Sequence, residues 1–504
     1  MNSDLTKLKI LLINPPTSVV LLNLGLAYIG ASLLEEGHKV KILDLNLNRY
    51  KKRKVKKILK RTKYDVYGIG CMIVAYDYTV FLSKIIKKYH PNSLIVAGGS
   101  VASSIPEILL STSKVDIAVL GEGEFTIKDI TKKKIENDTD YSSIDGIYFK
   151  KNGQIIKTKD RNPIENLDSI PIPAIHLYNM KAYMKLRYYP LCTTRGCPFH
   201  CTFCYHYYKG YKVRRHSTER IIKEIKLIQQ KYKNSSIYIV DDNFTLNKKF
   251  VLDFCDALEK ENLKVKWTAS SRVSVIDEEL IKRMKECGCF ALQFGIESGN
   301  QTILNNIKKQ TTVEQAKNAL LLCKKYRMLP MCSFIIGNQG ENYRTAMETY
   351  RFIKEFYQPI SFLKSFFFFL PIPFPKTEIY EYAKKNGLIK NELKLIKSFK
   401  NENFDRHQSL TVNFSELSDK KLLQLKISLE RLIKSRIFFK NYYLDIVLGK
   451  YFKIIFYSKG LKAKIKNILK LFYDYYHFSI FFKLNLFQIF KLLFTQNYGE
   501  IKFP

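Results

Sequence analysis

TTRGCPFHCTFCYH, at residues 193–206, places Cys197, Cys201 and Cys204 in the spacing C-x-x-x-C-x-x-C. A loop this short can wrap three thiolates around a cubic iron–sulfur cluster, but it offers no fourth cysteine, so one iron keeps an open coordination position. An open iron can bind and activate another molecule. The stretch therefore predicts a cluster at which chemistry takes place.

The same loop has an alternative interpretation. Cys197, Cys201 and Cys204 could form a structural Cys3His zinc site with His200 or His206. Structural zinc sites usually pair two C-x-x-C knuckles, and this loop has only one, so the cluster is favoured.

The cysteine spacing, with Phe203 directly before Cys204, resembles the signature of the radical S-adenosylmethionine (SAM) enzymes. The resemblance implies that Cys197, Cys201 and Cys204 hold a 4Fe–4S cluster whose open iron chelates SAM. One electron then cleaves SAM to a 5′-deoxyadenosyl radical, which abstracts a hydrogen atom from the substrate. A reductant protein such as ferredoxin or flavodoxin would supply the electron.

Five short apolar runs alternate with helical patterns in residues 1–143. This alternation predicts parallel pairing through right-handed crossovers, hence a Rossmann-like or flavodoxin-like, doubly wound α/β sheet. Each run ends in small or turn-forming residues, at the edge where open parallel sheets bind ligands. The runs are 9–13, 39–43, 65–69, 94–97 and 116–120.

The order of NPP, the helical pattern at 24–37, VAGGS and LGEGE resembles the N-terminal domain of cobalamin-binding radical SAM enzymes. That group includes C-methylases and the anaerobic cyclase of chlorophyll biosynthesis. The chain has no D-x-H-x-x-G motif, so no histidine is expected on the cobalt. The candidate cobalamin-binding residues are Asn14, Pro15, Gly98, Gly99, Ser100, Gly121, Glu122 and Gly123.

A hairpin and proline-punctuated linker are predicted at 144–185, followed by a partial parallel β/α barrel at 186–390. SAM carries an ammonium, a carboxylate and a ribose diol, which acids and an arginine at the strand ends can bind. Asp241 could instead cap a helix, and Arg272 could pair with a surface acid. The family's Gly-x-Pro-Gly-Glu segment is GNQGE here, with Gln339 for proline. The candidate SAM-binding residues are Phe203, Asp241, Asp242, Arg272, Glu297 and Ser298.

The tail at 391–504 is predicted to be helical, basic and aromatic. Lysines at 440, 450, 453, 483 and 491 interrupt its apolar runs, so no stretch approaches the roughly 20 apolar residues that span a bilayer. Its helices either lie in an anionic membrane interface or cover the barrel. The net charge of +38 fits an anionic partner or a lysine-rich composition. No nucleic acid is expected.

Ten mostly scattered cysteines predict a reduced cytoplasmic setting without disulfides. The tail adds the expectation of peripheral membrane contact. The favoured function is cobalamin-dependent methylation of an unactivated carbon on a lipid-like or natural-product substrate. The alternatives are radical SAM chemistry without cobalamin, RNA modification, and a zinc-stabilised membrane-peripheral binding protein without turnover.

Overall fold

A computed structural model of the protein describes residues 7–17, 19–183, 188–208, 210–232, 236–357, 366–399 and 410–438. The part of the chain up to Leu429 forms one compact unit. The predicted tail segments beyond residue 438 lie outside the described residues.

The first sheet of this unit has the strand order β2-β1-β3-β4-β5-β6-β7. Strands β1 to β5 are parallel, which confirms the doubly wound sheet, and the predicted hairpin, β6–β7, extends it in antiparallel fashion beyond β5. The strands are β1 (Lys9–Asn14), β2 (Lys39–Asp44), β3 (Val66–Gly70), β4 (Leu94–Gly98), β5 (Ile117–Val119), β6 (Ile147–Lys151) and β7 (Gln154–Lys157).

Successive side chains of β1 feed two hydrophobic cores, because neighbouring residues of a strand point to opposite faces. Leu11 and Ile13 belong to one core, and Ile10 and Leu12 to the other. Helices α3, α4 and α6 supply the first core, and α1 and α7 the second. The helices are α1 (Leu24–Glu35), α2 (Leu45–Asn48), α3 (Lys52–Arg61), α4 (Tyr76–Tyr89), α5 (Ser100–Ser104), α6 (Pro106–Thr112) and α7 (Glu124–Ile135).

The direction of the strand order reverses at β1, which pairs with β2 on one side and β3 on the other. In open parallel sheets, ligands bind outside the carboxyl ends of the strands at such a switch point. The loops that follow β1 and β3 therefore mark the expected crevice of this sheet.

The second sheet has the order β15-β14-β13-β12-β11-β8 and is parallel throughout, as predicted for a partial barrel. A short antiparallel ladder, β9–β10, stands apart from it. The strands are β8 (Tyr188–Leu191), β9 (Thr194–Arg195), β10 (Arg214–Arg215), β11 (Ser236–Ile239), β12 (Trp267–Ser271), β13 (Cys289–Glu297), β14 (Leu329–Ile335) and β15 (Phe366–Phe369).

Most of the accompanying helices begin at a side chain that accepts a hydrogen bond from the first turn. Ser217, Asp277 and Thr312 are examples. The helices are α8 (Met180–Tyr183), α9 (Thr218–Lys231), α10 (Lys248–Lys260), α11 (Glu278–Glu286), α12 (Gln301–Asn306), α13 (Val313–Lys325), α14 (Tyr343–Tyr357), α15 (Glu378–Lys385), α16 (Glu392–Ser398) and α17 (Asp419–Phe438).

Cysteine pairing departs from the expectation that no disulfide forms. Cys255 of α10 and Cys287, which follows α11, form a disulfide with Cα atoms 5.5 Å apart. The two helices pack side by side, and this packing, which the sequence spacing of 32 residues does not reveal, brings the thiols together. Within the described part, no helix is both long and apolar enough to cross a membrane.

Candidate active site

The cysteine loop is closed at its base by the β9–β10 ladder, in which Arg195 pairs with Arg214. The segment entering the loop is anchored by Asp241, at the carboxyl end of β11. Its carboxylate accepts hydrogen bonds from the Thr193 amide at 2.7 Å, from the Thr194 hydroxyl at 2.9 Å and from the Thr193 hydroxyl. Burial raises the pKa of Asp241 to about 6, and these bonds oppose the rise. Asp241 therefore supports the loop rather than capping a helix.

The middle of the loop is held through its backbone. The Thr202 amide donates to the Ile307 carbonyl at 3.1 Å, and the Thr202 carbonyl accepts from the Ile379 amide at 3.1 Å. The loop is thus bound by the residue that follows α12 and by the first turn of α15, in addition to its own base. These contacts fix the cysteines relative to the barrel.

The three thiols are electrostatic neighbours. The pKa of Cys204 is raised to about 11, mainly by burial and also by the charges of Cys201 and Cys197, whereas Lys309 opposes the rise. Three thiolates this close together need a positively charged partner. An iron cluster supplies one, so the donor set fits a cluster with three cysteine ligands.

Arg272, at the carboxyl end of β12, joins the cysteine loop to the loop after α12. Its Nη1 lies 3.9 Å from Cys201 Sγ, and its guanidinium lies 3.5 Å from the ring centroid of Phe199. Its Nη2 donates to the Lys309 carbonyl and, at 3.3 Å, to the Gln310 carbonyl. Arg272 is buried among these partners, and no ion pair joins it to an acid within the described part of the chain.

Glu297, at the carboxyl end of β13, forms a buried ion pair with Lys309. The Oε1–Nζ distance is 3.0 Å, and the side chains are 7% and 9% exposed. Glu297 has a φ of 68°, an uncommon value for a residue with a side chain. The Lys309 ammonium also lies 5.9 Å from the ring centroid of Phe203. Glu297, Lys309 and Phe203 thus form one group beside the last cysteine.

Two further predicted residues have partners that hold them in place. Asp242 Oδ2 lies 2.9 Å from His206 Nε2, and this hydrogen bond raises the pKa of His206. Ser298 is buried and its hydroxyl lies 3.1 Å from that of Thr349 on α14. Asp242 borders the cysteines, whereas Ser298 is directed toward the helix layer.

The GNQGE turn after β14 forms without the proline that the family pattern has. One carboxylate oxygen of Glu341 accepts hydrogen bonds from the amides of Gly337 and, at 3.3 Å, Asn338. Burial raises the pKa of Glu341 to about 7. The side chain of Glu341 thus closes the turn, and Gln339 is tolerated in it.

The sequence analysis did not select Lys309, His206 or Thr349. Lys309 and Thr349 lie in a loop and a helix whose patterns carry no chemical signature, and one lysine is inconspicuous in a chain with 84 Lys and Arg residues. His206 was considered only as a zinc ligand. Its position two residues after Cys204 was the available signal.

The edge of the first sheet contains the predicted cobalamin-binding residues, but not all are open to a ligand. Asn14 is buried and donates from Nδ2 to Asp44 Oδ1 at 2.9 Å. The hydroxyl of Tyr183, in the linker, donates to Asp44 Oδ2 at 2.6 Å. Pro15 is buried as well. The end of β1 is therefore occupied by an internal hydrogen-bond network.

Gly121 and Gly98 differ in the space beside them. A Cβ atom built on Gly121 would lie 2.5 Å from the Tyr208 hydroxyl and 2.8 Å from Tyr207. A Cβ atom built on Gly98 would have no protein atom within 4 Å. The tyrosines after the last cysteine thus cover the β5 end of the edge, and the β4 end is open.

Exposed apolar side chains surround the switch point between β1 and β3. Val19 and Leu21, in the loop after β1, are 49% and 57% exposed, and Met72, just after β3, is 51% exposed. Together with the open backbone at Gly98, they form an apolar edge that suits a large flat ligand. Sequence analysis missed these three residues because isolated apolar residues in loops carry no pattern.

The two histidines of the first domain lie away from this edge. His38 comes directly before β2, and its Nδ1 accepts from the Leu8 amide at 3.4 Å. His90 follows α4, and its Nε2 lies 2.6 Å from the Leu59 carbonyl. Both lie toward the amino ends of the parallel strands, opposite the candidate crevice.

Two family models match the chain, the Radical SAM superfamily over residues 191–353 and the B12 binding domain over residues 17–131. An uncharacterised methyltransferase of Pyrococcus horikoshii is 36% identical over 396 residues, which cover 76% of this chain and 84% of that protein. The chain belongs to the radical SAM enzymes with a B12-binding domain.

Two further comparisons agree with this membership. A cytidylyl-2-hydroxyethylphosphonate methyltransferase of Streptomyces wedmorensis is 26% identical, over 76% of this chain and 83% of that protein. The solved structure of the radical SAM methyltransferase TsrM from Kitasatospora setae, with cobalamin and a 4Fe–4S cluster bound, has a TM-score of 0.68 at 15% identity. It covers 92% of this chain and 99% of that one. This second likeness shows the common fold.

The cofactors of this radical SAM enzyme are a 4Fe–4S cluster, SAM and cobalamin, as predicted. Membership also decides for an enzyme over the zinc-stabilised binding protein. Among the described residues, no three His, Cys, Asp or Glu side chains are arranged to hold a single metal ion. In a cubane each thiolate binds its own iron, so the ligands of a cluster lie further apart than those of one ion.

Replacing Cys201 with alanine should abolish cluster assembly and SAM cleavage, because a cube that lacks one thiolate is exposed and labile. Iron content and 5′-deoxyadenosine formation, measured without oxygen after reconstitution, check this. Cys323→Ala is the matched control, since Cys323 is buried in α13 away from the loop. Normal SAM cleavage by the Cys201→Ala enzyme would contradict the assignment of the triad.

Replacing Gly98 with leucine should remove bound cobalamin while leaving the fold intact, because the added side chain enters space that no protein atom fills. The measurement is anaerobic reconstitution with hydroxocobalamin, desalting and absorption spectroscopy, with iron content and thermal unfolding as controls. His38→Ala and His90→Ala should leave the bound spectrum unchanged. Full cobalamin retention by Gly98→Leu would place the ligand elsewhere.

Proposed function

We propose that this enzyme methylates an unactivated carbon atom of an apolar, lipid-like or natural-product substrate. The observation that carries the proposal is direct contact between the cysteine loop and the carboxyl edge of the first sheet. The Glu122 amide donates to the Tyr208 hydroxyl at 3.4 Å, and Tyr207 and Tyr208 cover Gly121. This contact supports the proposal because a substrate held at the junction would lie between the predicted cluster loop and the predicted cobalamin edge.

When bound, the cluster and SAM supply a carbon radical, and cobalamin supplies the methyl group. The protein residues supply position and charge. Cys197, Cys201 and Cys204 would hold the cluster. Arg272 and Lys309 would place positive charge beside the thiolates, and Glu297 would offer its carboxylate to the ammonium of SAM. Phe203 and the backbone contacts of Thr202 keep the loop against the barrel.

The side chains at the junction favour an apolar substrate. Tyr205, Tyr207 and Tyr208 follow the last cysteine, and the rings of Tyr207 and Tyr208 meet edge to face with centroids 4.9 Å apart. Burial raises the pKa of Tyr205 and Tyr207, so both remain neutral near pH 7. Aromatic walls exclude water and bind apolar surface, which suits a substrate whose reacting carbon bears no polar group.

Methyl transfer can be tested before the substrate is identified. Wild-type enzyme holding all three cofactors, given SAM with a deuterated methyl group and an extract from cells that lack the gene, should add the label to a lipid or another apolar metabolite. Mass spectrometry identifies the labelled species, and the Cys201→Ala enzyme is the control. Equal labelling by cobalamin-free enzyme would favour radical chemistry without cobalamin.

Peripheral contact with an anionic membrane is proposed alongside a lipid-like substrate. Seven of the ten residues of α3 are Lys or Arg and none is acidic. Of its three apolar residues, Val55 and Leu59 are buried in the core and Ile58 is partly buried. The flanking Lys51 and Lys63 are exposed too. Within the described residues, no carboxylate forms an ion pair with these side chains. Like charges at positions i and i+4 destabilise a helix, so binding to an anionic surface would reduce the repulsion between the cationic side chains of α3.

The neighbouring rings argue against a nucleic-acid partner for this face. The ammonium of Lys52 lies 4.8 Å from the ring centroid of Phe81, and that of Lys54 lies 3.6 Å from that of Tyr50. Rings covered by lysines are not available to stack on bases, which is how single strands are commonly held. Flat electrostatic contact with lipid head groups needs no stacking.

The membrane proposal predicts that the intact protein floats with vesicles of anionic lipid and that salt weakens binding, since charges are screened over about 10 Å at 0.1 M. Reversing Lys56, Lys57 and Lys60 to glutamate should reduce flotation, as should ending the chain at Lys434, which removes the basic tail. The matched control reverses three exposed lysines on other helices, Lys282, Lys324 and Lys385. Equal flotation by the α3 and control variants would exclude α3 as the contact.

A further inference from the structure

Four charged side chains meet between the first sheet and the cysteine loop. Glu122 and Glu124 belong to the LGEGE segment after β5, and Arg195 and Arg214 are the paired residues of the β9–β10 ladder. We call these residues the inter-sheet ion cluster. Two of them belong to the predicted cobalamin domain, and two flank the cysteines.

Each member of the inter-sheet ion cluster forms an ion pair with at least one other member. Arg195 lies 3.3 Å from Glu122 and 2.6 Å from Glu124, and Arg214 lies 2.8 Å from Glu122. The side chains are 3% to 15% exposed. The carboxylate of Glu122 also accepts from the Ile164 amide at 2.8 Å, and Arg214 donates to the Ile164 carbonyl at 2.8 Å. The linker is therefore fastened to the same group.

The charges of the cluster balance, and its surroundings are aromatic. Burial opposes ionisation of Glu122, but the hydrogen bond from Arg214 and the charge of Arg195 outweigh it and lower its pKa. The guanidinium of Arg195 lies 5.0 Å from the ring centroid of Tyr28 on α1, and that of Arg214 lies 5.7 Å from that of Tyr208. Glu122 therefore stays charged near neutral pH, and all four side chains are largely buried.

The position of the cluster in the chain gives it a specific consequence. Arg195 is separated from Cys197 by one residue, Gly196, and the segment before it is held by Asp241. Gly121, directly before Glu122, lies at the end of the first sheet and beneath Tyr208. A shift at either pair of charges would therefore move the cysteines relative to the open edge at Gly98.

We propose that Glu122, Glu124, Arg195 and Arg214 are positioning residues that set the separation and orientation of the iron–sulfur and cobalamin sites. This assigns Glu122 to alignment of the two sites rather than to contact with cobalamin. The inference deepens the proposed function, on which it rests, because methyl transfer needs both cofactors to reach one carbon. Misplacement of a reacting group by about 1 Å can lower the rate roughly 10²-fold, so correct alignment can outweigh the free-energy cost of burying four charged side chains.

The test compares wild-type holoenzyme with E122Q/E124Q, which keeps side-chain size but leaves two buried arginines without carboxylates. The iron–sulfur cluster is reduced and the cobalamin is brought to its cobalt(II) form. Pulsed electron paramagnetic resonance then measures how strongly the iron–sulfur cluster accelerates relaxation of the cobalt spin. In wild type the cobalt spin should relax at one defined, accelerated rate. In the variant the acceleration should be weaker, and the relaxation rates should be distributed, because the distance between the two metal sites varies. Iron and cobalamin contents should match wild type. E261Q is the matched control, since Glu261 pairs with Lys226 on the barrel surface.

A second variant covers the case in which E122Q/E124Q does not fold, since unpaired buried charge is strongly destabilising. E124Q/R195Q removes a carboxylate and its guanidinium together, so the remaining Glu122–Arg214 pair stays balanced. It should fold, and its cobalt-spin relaxation should show the same weaker acceleration and the same wider distribution of rates. In the cofactor-free protein, amide exchange at residues 194–195 and 214–215 should also rise above that of E261Q.

Three outcomes would overturn the proposal. If a folded variant that holds both cofactors shows the same cobalt-spin relaxation as wild type, the inter-sheet ion cluster does not set the alignment. Loss of iron or cobalamin from both variants would assign the residues to cofactor retention instead. Unchanged amide exchange in E124Q/R195Q would show that the pair does not hold the ladder. Failure of methyl transfer itself would appear separately, in wild type, as labelled SAM without a labelled product.

Discussion

The arrangement of this enzyme depends on carboxylates that hold the short segment at 193–195, just before the cysteine loop. Asp241 holds Thr193 and Thr194 from the barrel side, and Glu122 and Glu124 hold Arg195 from the first sheet. Hydrogen bonds and cations make these buried charges tolerable, since an unpaired one would be strongly destabilising. The segment thus fixes the cysteines relative to both halves of the molecule.

A second constraint is the close approach of three thiols. The chain balances them with Arg272 and Lys309, which come from different strand ends and loops. Removing one member of a buried pair such as Glu297–Lys309 costs about 3–5 kcal/mol, because the remaining charge is left without a partner. Residues predicted to contact SAM, such as Glu297 and Arg272, therefore also have partners within the protein, and these contacts stabilise the barrel mouth.

The two ends of the carboxyl edge of the first sheet differ in how far other residues cover them. The β5 end is filled by Tyr207 and Tyr208, whereas Gly98 and the exposed Val19 and Met72 leave the region near the switch point open. This asymmetry follows from the strand order, since the reversal at β1 separates the loops that follow β1 and β3. The edge therefore has an open region near the switch point and a region covered by the tyrosines that follow the last cysteine.

The sequence by itself determined the two parallel sheets, the loop that holds the cysteines and the family, because strand periodicity and the spacing of Cys197, Cys201 and Cys204 are local properties of the chain. It also marked the strand ends that carry Arg272 and Glu297. Only the tertiary structure decided what those residues touch. Lys309, the carboxylate partners of Arg195 and the exposed edge at Met72 depend on contacts between segments far apart in sequence, and no local pattern encodes them. Side-chain partnership across a fold is set by packing, which a one-dimensional pattern does not record.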